Sequence, residues 1–351
     1  MKVEDLVRLP GSWLSVGLDT GTVISSRVRL ARNVKDAAFP GWAGKDERAS
    51  IYDRLAAAIR ETGLLDDALY LSMERLGEVD CLVLKERQLI SNELIGRHDG
   101  NGLVVSPDES IAIMINEEDH LRMQAMRPGL SLQAIWERLL AIESALESQV
   151  DFSFAPDLGY LTACPTNVGT GMRASVMMHL PALKLTEDIG PVTVGLSKMK
   201  LAVRGLLGEG TDAWGNMFQI SNQTSLGESE EQIIAYIHQV VEELDRHECN
   251  ARERLMQDRE SLVRDYVGRA FGILTNAHLL SSKETLDLLS AIRLGIELEF
   301  VEKIGIAEIN ELMILTQPGH LQKIMQQVIE PEARDKVRAD LVRERLSGAE
   351  F

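Results

Sequence analysis

Hydrophobic residues in the first two thirds of the chain fall mainly in short runs, several alternating with polar ones, whereas beyond residue 229 they recur every three or four positions. The short runs predict strands over residues 22–30, 81–84, 103–106, 110–116, 151–154, 158–163, 192–194 and 217–221. Helical spacing predicts helices over 48–62, 132–147 and 174–185, with Ser131 as a cap for the second. Ile233, Ile234, Ile237, Val240, Val241 and Leu244 then mark a long amphipathic helix that continues through the charged stretch 250–264. Further helices are predicted over 282–294, capped by Ser281 or Ser282, and over 307–316, 319–327 and 331–346. The pattern divides the chain into a mixed α+β unit, 1–228, and a helical bundle, 229–351, joined by a helix and not by a flexible linker.

Composition narrows the function classes. The chain has 351 residues, more than a single core usually serves, and its 45% hydrophobic and 26% charged content is that of an ordinary folded protein. No run approaches the roughly 18 apolar residues of a membrane span. The first residues lack the basic-then-apolar layout of a secretion signal, and Cys81, Cys164 and Cys249 are too few for a disulfide framework, so a soluble protein of a reducing cytoplasm is expected. Lys and Arg number 37 against 54 Asp and Glu, a net charge of −17. That balance disfavours nucleic acid and anionic membrane as partners, so any anion site must be local.

Four clusters carry candidate chemistry. Arg27, Arg29 and Arg32 lie in SSRVRLARN, where strand alternation sends Arg27 and Arg29 to one face. Two guanidinium forks sharing a direction match phosphate oxygens, although a solvated basic edge strand has the same pattern. NEEDHLR, 116–122, places Glu117, Glu118 and Asp119 at the end of an apolar strand, where a carboxylate can meet a guanidinium and Arg122 a phosphate. A strand-to-helix turn with capping acids, or a metal site of Glu117, Glu118 and His120, fits the same residues. CPTNVGTGMR, 164–173, offers Cys164 beside cations, with Gly169 and Gly171 to let the backbone approach a ligand; an inert core cysteine is the plain alternative. In VRGLLGEGT, 203–211, three glycines surround Glu209, a carboxylate on a loop able to close over an acceptor or simply lying on the surface.

Together SSRVRLARN, NEEDHLR, CPTNVGTGMRASV and RGLLGEG resemble the phosphagen (guanidino) kinases over most of residues 22–228, and the closer likeness is to bacterial protein-arginine kinases of the McsB type. ERQLIS at 86–91, GEGTDAWGNMFQISNQTSLG at 208–227 and the tail carry that closer likeness. The resemblance implies a mostly antiparallel sheet flanked by helices and a helical domain behind it. It assigns Arg27, Arg29, Arg122, Arg173 and Arg204 to the phosphates of ATP, and Glu118 and Glu209 to the guanidinium. Cys164 then contacts the guanidinium, and Glu117 orders the water shell of Mg²⁺. Phosphoryl transfer requires mainly alignment and charge neutralisation, which this set can supply.

Two further features bear on the acceptor. In the kinases for free arginine or creatine, a helical domain precedes the SSRVR-like strand, which here starts near Thr22. The resemblance therefore implies an open acceptor side that admits an arginine on a protein surface. Leu207 stands where the small-molecule kinases carry a second arginine in this loop. The tail segment RDKVRA, 334–339, resembles a phosphoarginine-binding motif formed by Arg334, Asp335 and Arg338, with both arginines on one helix face. The likeness also implies a homodimer through the helical tail, protein substrates with exposed arginines, a McsA-type activator and delivery of marked proteins to a Clp-type protease. A free-arginine kinase and a non-catalytic phosphoarginine-binding adaptor are the competing expectations.

Overall fold

The computed structural model describes residues 3–8, 11–15, 21–96, 99–205 and 213–351. Ten strands are present among them: β1 Val23–Arg32, β2 Leu69–Ser72, β3 Gly102–Val105, β4 Ile111–Ile115, β5 Leu121–Pro128, β6 Phe154–Ala155, β7 Gly159–Tyr160, β8 Met172–His179, β9 Leu201–Gly205 and β10 Met217–Asn222. The helices are α1 Val3–Arg8, α2 Lys45–Glu61, α3 Glu78–Glu86, α4 Asn92–Ile95, α5 Leu132–Glu147, α6 Pro181–Leu185, α7 Ile189–Lys198, α8 Glu230–Asn276, α9 Ser282–Glu297, α10 Ile306–Leu315, α11 Pro318–Ile324 and α12 Pro331–Leu346. Eight strands form one sheet in the order β2-β3-β4-β5-β1-β8-β10-β9, every pairing antiparallel. The expected α+β class with an antiparallel sheet and a helical tail is the observed architecture.

Alternation gives the central strands two unlike faces. Val28 and Leu30 of β1, Met123 and Ala125 of β5, Ala174, Val176 and Met178 of β8, and Ile220 of β10 are buried on one of them. Helix α5 packs there with Leu132, Ile135, Trp136, Leu139, Ile142 and Leu146, a stripe at helical spacing. Helix α8 runs 47 residues behind β8 and β10. Its start is held by a capping box in which the Ser229 hydroxyl accepts from Gln232 N at 3.2 Å and the Gln232 side chain accepts from Ser229 N at 2.9 Å. One core cluster runs continuously from Val23 of β1 to Leu346 of α12. A second, smaller cluster joins α3 to β3, β4 and Ile314 of α10.

Several elements differ from the sequence expectation. Residues 81–84 and 192–194 belong to helices α3 and α7, because short apolar runs fit either period. Residues 172–179 form a central strand, leaving only Pro181–Leu185 of the expected helix over 174–185; a strand buried on both faces loses its polar alternation. The runs 151–154 and 158–163 shrink to the two-residue strands β6 and β7. Ser131 makes no cap bond, its hydroxyl donating instead to Pro128 O at 3.0 Å. After the acidic cluster the chain turns back into β5 as a hairpin and not into a helix.

Candidate active site

The sheet register assembles the cluster of cations that the sequence scatters. Arg29 of β1 lies opposite Arg173 of β8 and Gln124 of β5, and Ala31 lies opposite Arg122. Ser175 faces Ser221 of β10, while Gln219 faces Arg204 of β9. Directly opposed residues share a face, so Arg27, Arg29, Arg122, Arg173 and Arg204 all project from the side opposite α5 and α8. They line one cleft of about 560 Å³ together with Glu118 and Cys164.

Their partners leave most of the positive charge uncompensated. Arg27 donates to the amide oxygens of Gln88 at 3.1 Å and Gln219 at 2.8 Å, both neutral. Arg173 donates to the Ser221 hydroxyl at 3.2–3.3 Å. Arg29 and Arg204 have no hydrogen-bond or ion-pair partner among the described residues, and Arg29 Nε is a buried donor without an acceptor. Among the described residues Arg122 alone of the five meets a carboxylate, Glu117 Oε1 at 2.8 Å. Burial and then the neighbouring Arg122 and Arg173 pull Arg27 down to about 10, and burial with Arg204 and Arg122 pulls Arg173 down to about 10. Both stay protonated at neutral pH. Unpaired cations held together against mutual repulsion form a site ready for a polyanion.

The acidic turn between β4 and β5 starts at Asn116, whose φ of 56° suits Asn and whose amide donates to Arg48 O and Gly100 O. Glu117 is fully buried: Oε1 accepts from the Ser91 hydroxyl and Arg122, and Oε2 accepts from Glu118 N at 2.6 Å. Burial raises its pKa, but Arg122 and these hydrogen bonds override it and hold the carboxyl below its ordinary value. Glu118 is half-buried, its carboxylate has no hydrogen-bond partner among the described residues, and burial, Asp119 and Glu117 raise its pKa. His120 turns away from both: Nδ1 accepts from Val34 N and Nε2 therefore donates to Ala38 O, with burial pulling it down to about 4. Among the described residues no group of three or more His, Cys, Asp or Glu side chains is set to hold a metal ion.

Cys164 ends a loop at the start of a 3-10 turn, Pro165–Asn167, with Sγ 3.0 Å from the Thr166 hydroxyl. The glycines after it are required by packing. A Cβ on Gly169 (φ 113°) would meet Ser225 O at 2.5 Å, and one on Gly171 (φ 64°) would meet the Arg32 guanidinium at 2.6 Å. Arg32, on the opposite face from Arg27, is buried against Glu143 at 2.5 Å and under the Tyr160 ring. Val203, Arg204 and Gly205 are strand; Glu209 and Leu207 lie outside the described residues.

Sequence reading missed several lining residues. Gln88, Ser91, Gln124 and Gln219 surround the arginines, and Met313, Ile314 and Gln317 bring the helical tail into the cleft wall. ERQLIS contained Gln88 and Ser91, and Gln219 alternates with Ser221 on β10, but nothing in the sequence pointed to the end of α10. Arg334, Asp335 and Arg338 form a separate cluster. Arg338 is 1% exposed and donates to Thr316 O at 2.8 Å, Leu280 O at 2.6 Å, Ser282 Oγ at 2.9 Å and Asp335 Oδ1 at 2.5 Å. Arg334 donates to Ile329 O at 3.3 Å.

Residues 50–251 match the family model described as ATP:guanido phosphotransferase, C-terminal catalytic domain, and residues 260–350 match that of the protein-arginine kinase McsB C-terminal domain. The chain is 42% identical to the protein-arginine kinase of Halothermothrix orenii over 99% of this chain and 100% of that one. It is 45% identical to that of Moorella thermoacetica over 95% and 96%. The chain belongs to the protein-arginine kinase family of ATP:guanido phosphotransferases. Among solved structures, lombricine kinase aligns with a TM-score of 0.58 at 27% identity, over 70% of each chain. Between the two matched regions, inside α8, helical dihedrals break at Arg259 (φ −142°, ψ 34°). Among the described residues no helix is long and apolar enough to cross a membrane.

Proposed function

We propose that this chain transfers the γ-phosphoryl group of ATP to arginine side chains of proteins, using the cleft above the arginine face of the sheet. The observation that carries this reading is the register that gathers five guanidinium groups from four strands, only one of them paired with a carboxylate among the described residues. In this reading Arg27, Arg29, Arg122, Arg173 and Arg204 bind the phosphates of ATP. Glu118 orients the acceptor guanidinium and takes its proton, because a protonated guanidinium is no nucleophile. Cys164 contacts the same group, and Glu209 is the second carboxylate assigned to it. Holding donor and acceptor in line accounts for most of the rate. Mg²⁺ would be held mainly by the phosphate oxygens and water, the ligands it prefers, and when bound would neutralise phosphate charge. The oxygens of Glu117 already hold Ser91, Arg122 and the Glu118 amide, so Glu117 chiefly fixes Arg122 and would influence the ion only through its water shell. The cytoplasmic setting, a homodimer through the helical tail, a McsA-type activator, Clp-type proteolysis and phosphoarginine at Arg334, Asp335 and Arg338 belong to the same proposal. Four of the five N–H donors of Arg338 are engaged, so phosphoarginine there would meet one remaining donor unless it displaced a present bond.

Incubation with ATP, a casein-like protein and free arginine tests the acceptor. Acid-labile phosphate is expected on the protein. Phosphate on free arginine alone would overturn the reading in favour of a small-guanidine kinase, and no transfer to either would favour a binding adaptor.

A further inference from the structure

Glu118 and Cys164 come from segments far apart in sequence, the turn 116–120 and the segment 161–171, and neither segment alone sets the spacing between them. We infer that Asn33 and Asp119 are positioning residues that fix this spacing, an inference that rests on the acceptor reading of Glu118 and Cys164 given above. Asn33 directly follows β1. Its Nδ2 donates to Asp119 Oδ1 at 2.6 Å and to Leu161 O at 3.0 Å, while its Oδ1 accepts from His120 N at 3.0 Å. Asp119 Oδ1 accepts in addition from Ala163 N at 2.7 Å. One amide and one carboxylate thus connect the residues that follow Glu118 to the residue that precedes Cys164.

Both side chains are 1% exposed and neither lines the cleft, so water does not compete for these bonds and substrate does not touch them. Asn33 uses both amide hydrogens and its oxygen, a combination that no aliphatic or hydroxyl side chain reproduces. Asp119 is a buried carboxylate bonded to amides and, among the described residues, to no cation. Such a group costs stability, and burial raises its pKa. Its oxygen satisfies two donors, one on Asn33 and one on the segment that carries Cys164, and that pairing across segments points to a positional role. The opposite end of the same segment is held independently, by Arg32 Nη1 donating to Thr170 O at 2.9 Å. The segment that carries Cys164 is therefore fixed at both ends to Arg32, the last residue of β1, and Asn33, which follows it.

Steady-state kinetics on a protein acceptor test this. Asn33→Ala and Asp119→Ala are each expected to lower kcat about 10²-fold, the scale of a misplacement near 1 Å, with KM for ATP within about twofold because the arginine face stays in place. Asp119→Asn retains an oxygen that can accept both bonds and should stay within about fivefold of wild-type kcat. The double alanine variant should lose no more than the worse single one. Wild-type kcat in either alanine variant, or equal damage from Asp119→Asn and Asp119→Ala, would overturn the inference, the latter by making charge and not position the cause. If an alanine variant fails to fold, Asn33→Asp decides: it sets a second carboxylate against Asp119 and must lose kcat where Asp119→Asn keeps it. Equal activity of these two would also overturn the inference. An inactive wild type overturns the acceptor reading along with it, whereas an active wild type with unaffected variants overturns this inference alone.

Discussion

Glu117 and Glu118 are adjacent and chemically identical, and their surroundings give them opposite behaviour. Glu117 is buried with both oxygens bonded and is held below the ordinary glutamate value; Glu118 has no hydrogen-bond partner among the described residues and is pushed above it by burial, Asp119 and Glu117. Environments that push neighbouring carboxyls apart separate a structural anion from a proton acceptor. Glu118→Gln should therefore reduce kcat by about 10²- to 10⁴-fold, the range for losing a general base. The pH profile follows from the sign of the shift. A raised carboxyl pKa keeps Glu118 protonated to higher pH, so wild-type activity should fall on acidification at a pH above the ordinary glutamate value of 4.5. An acid limb at or below that value would remove Glu118 from the role. The identity of this residue was legible in the motif NEEDHLR; its difference from Glu117 was not, because that depends on Ser91 and Arg122.

At the scale of elements, strand alternation made the shared face of Arg27 and Arg29 readable, since both sit on a short run with period two. It did not reveal that β8 and β9 bring Arg173 and Arg204 to the same face, because pairing between strands distant in sequence leaves no local mark. The helices of the tail were the most legible, as long periodic patterns are. Their attachment was hidden in single polar residues. Glu248 of α8 is fully buried, accepting from Ala182 N at 2.9 Å and Leu183 N at 3.0 Å at the start of α6 and from Arg252 Nε at 3.0 Å. Arg252 in turn reaches Glu297 of α9 at 2.6 Å. Glu248→Ala should lower the unfolding free energy by about 3–5 kcal/mol, the cost of breaking a buried pair, while Glu248→Gln keeps an acceptor and loses less. Denaturant melts of both variants check this, and equal stability would place the pair outside the stabilising framework.

Across the whole molecule, an acidic chain of net charge −17 concentrates five arginines on one sheet face and walls the cleft with residues from both its early and late segments. Met313, Ile314 and Gln317 come from the helical tail, yet face the same space as Arg27. The phosphate cradle by itself fits any guanidino kinase. The acceptor is what distinguishes this chain, and its near full-length likeness to protein-arginine kinases favours an arginine held in a protein. The most direct measurement is mass-spectrometric mapping, under neutral conditions, of a folded protein acceptor incubated with ATP and either wild type or Glu118→Gln. Phosphoryl groups on arginine side chains, absent with Glu118→Gln and absent when the modified arginines are changed to lysine, are the predicted result. Phosphate on serine or threonine, or on no protein residue while free arginine becomes labelled, would contradict it.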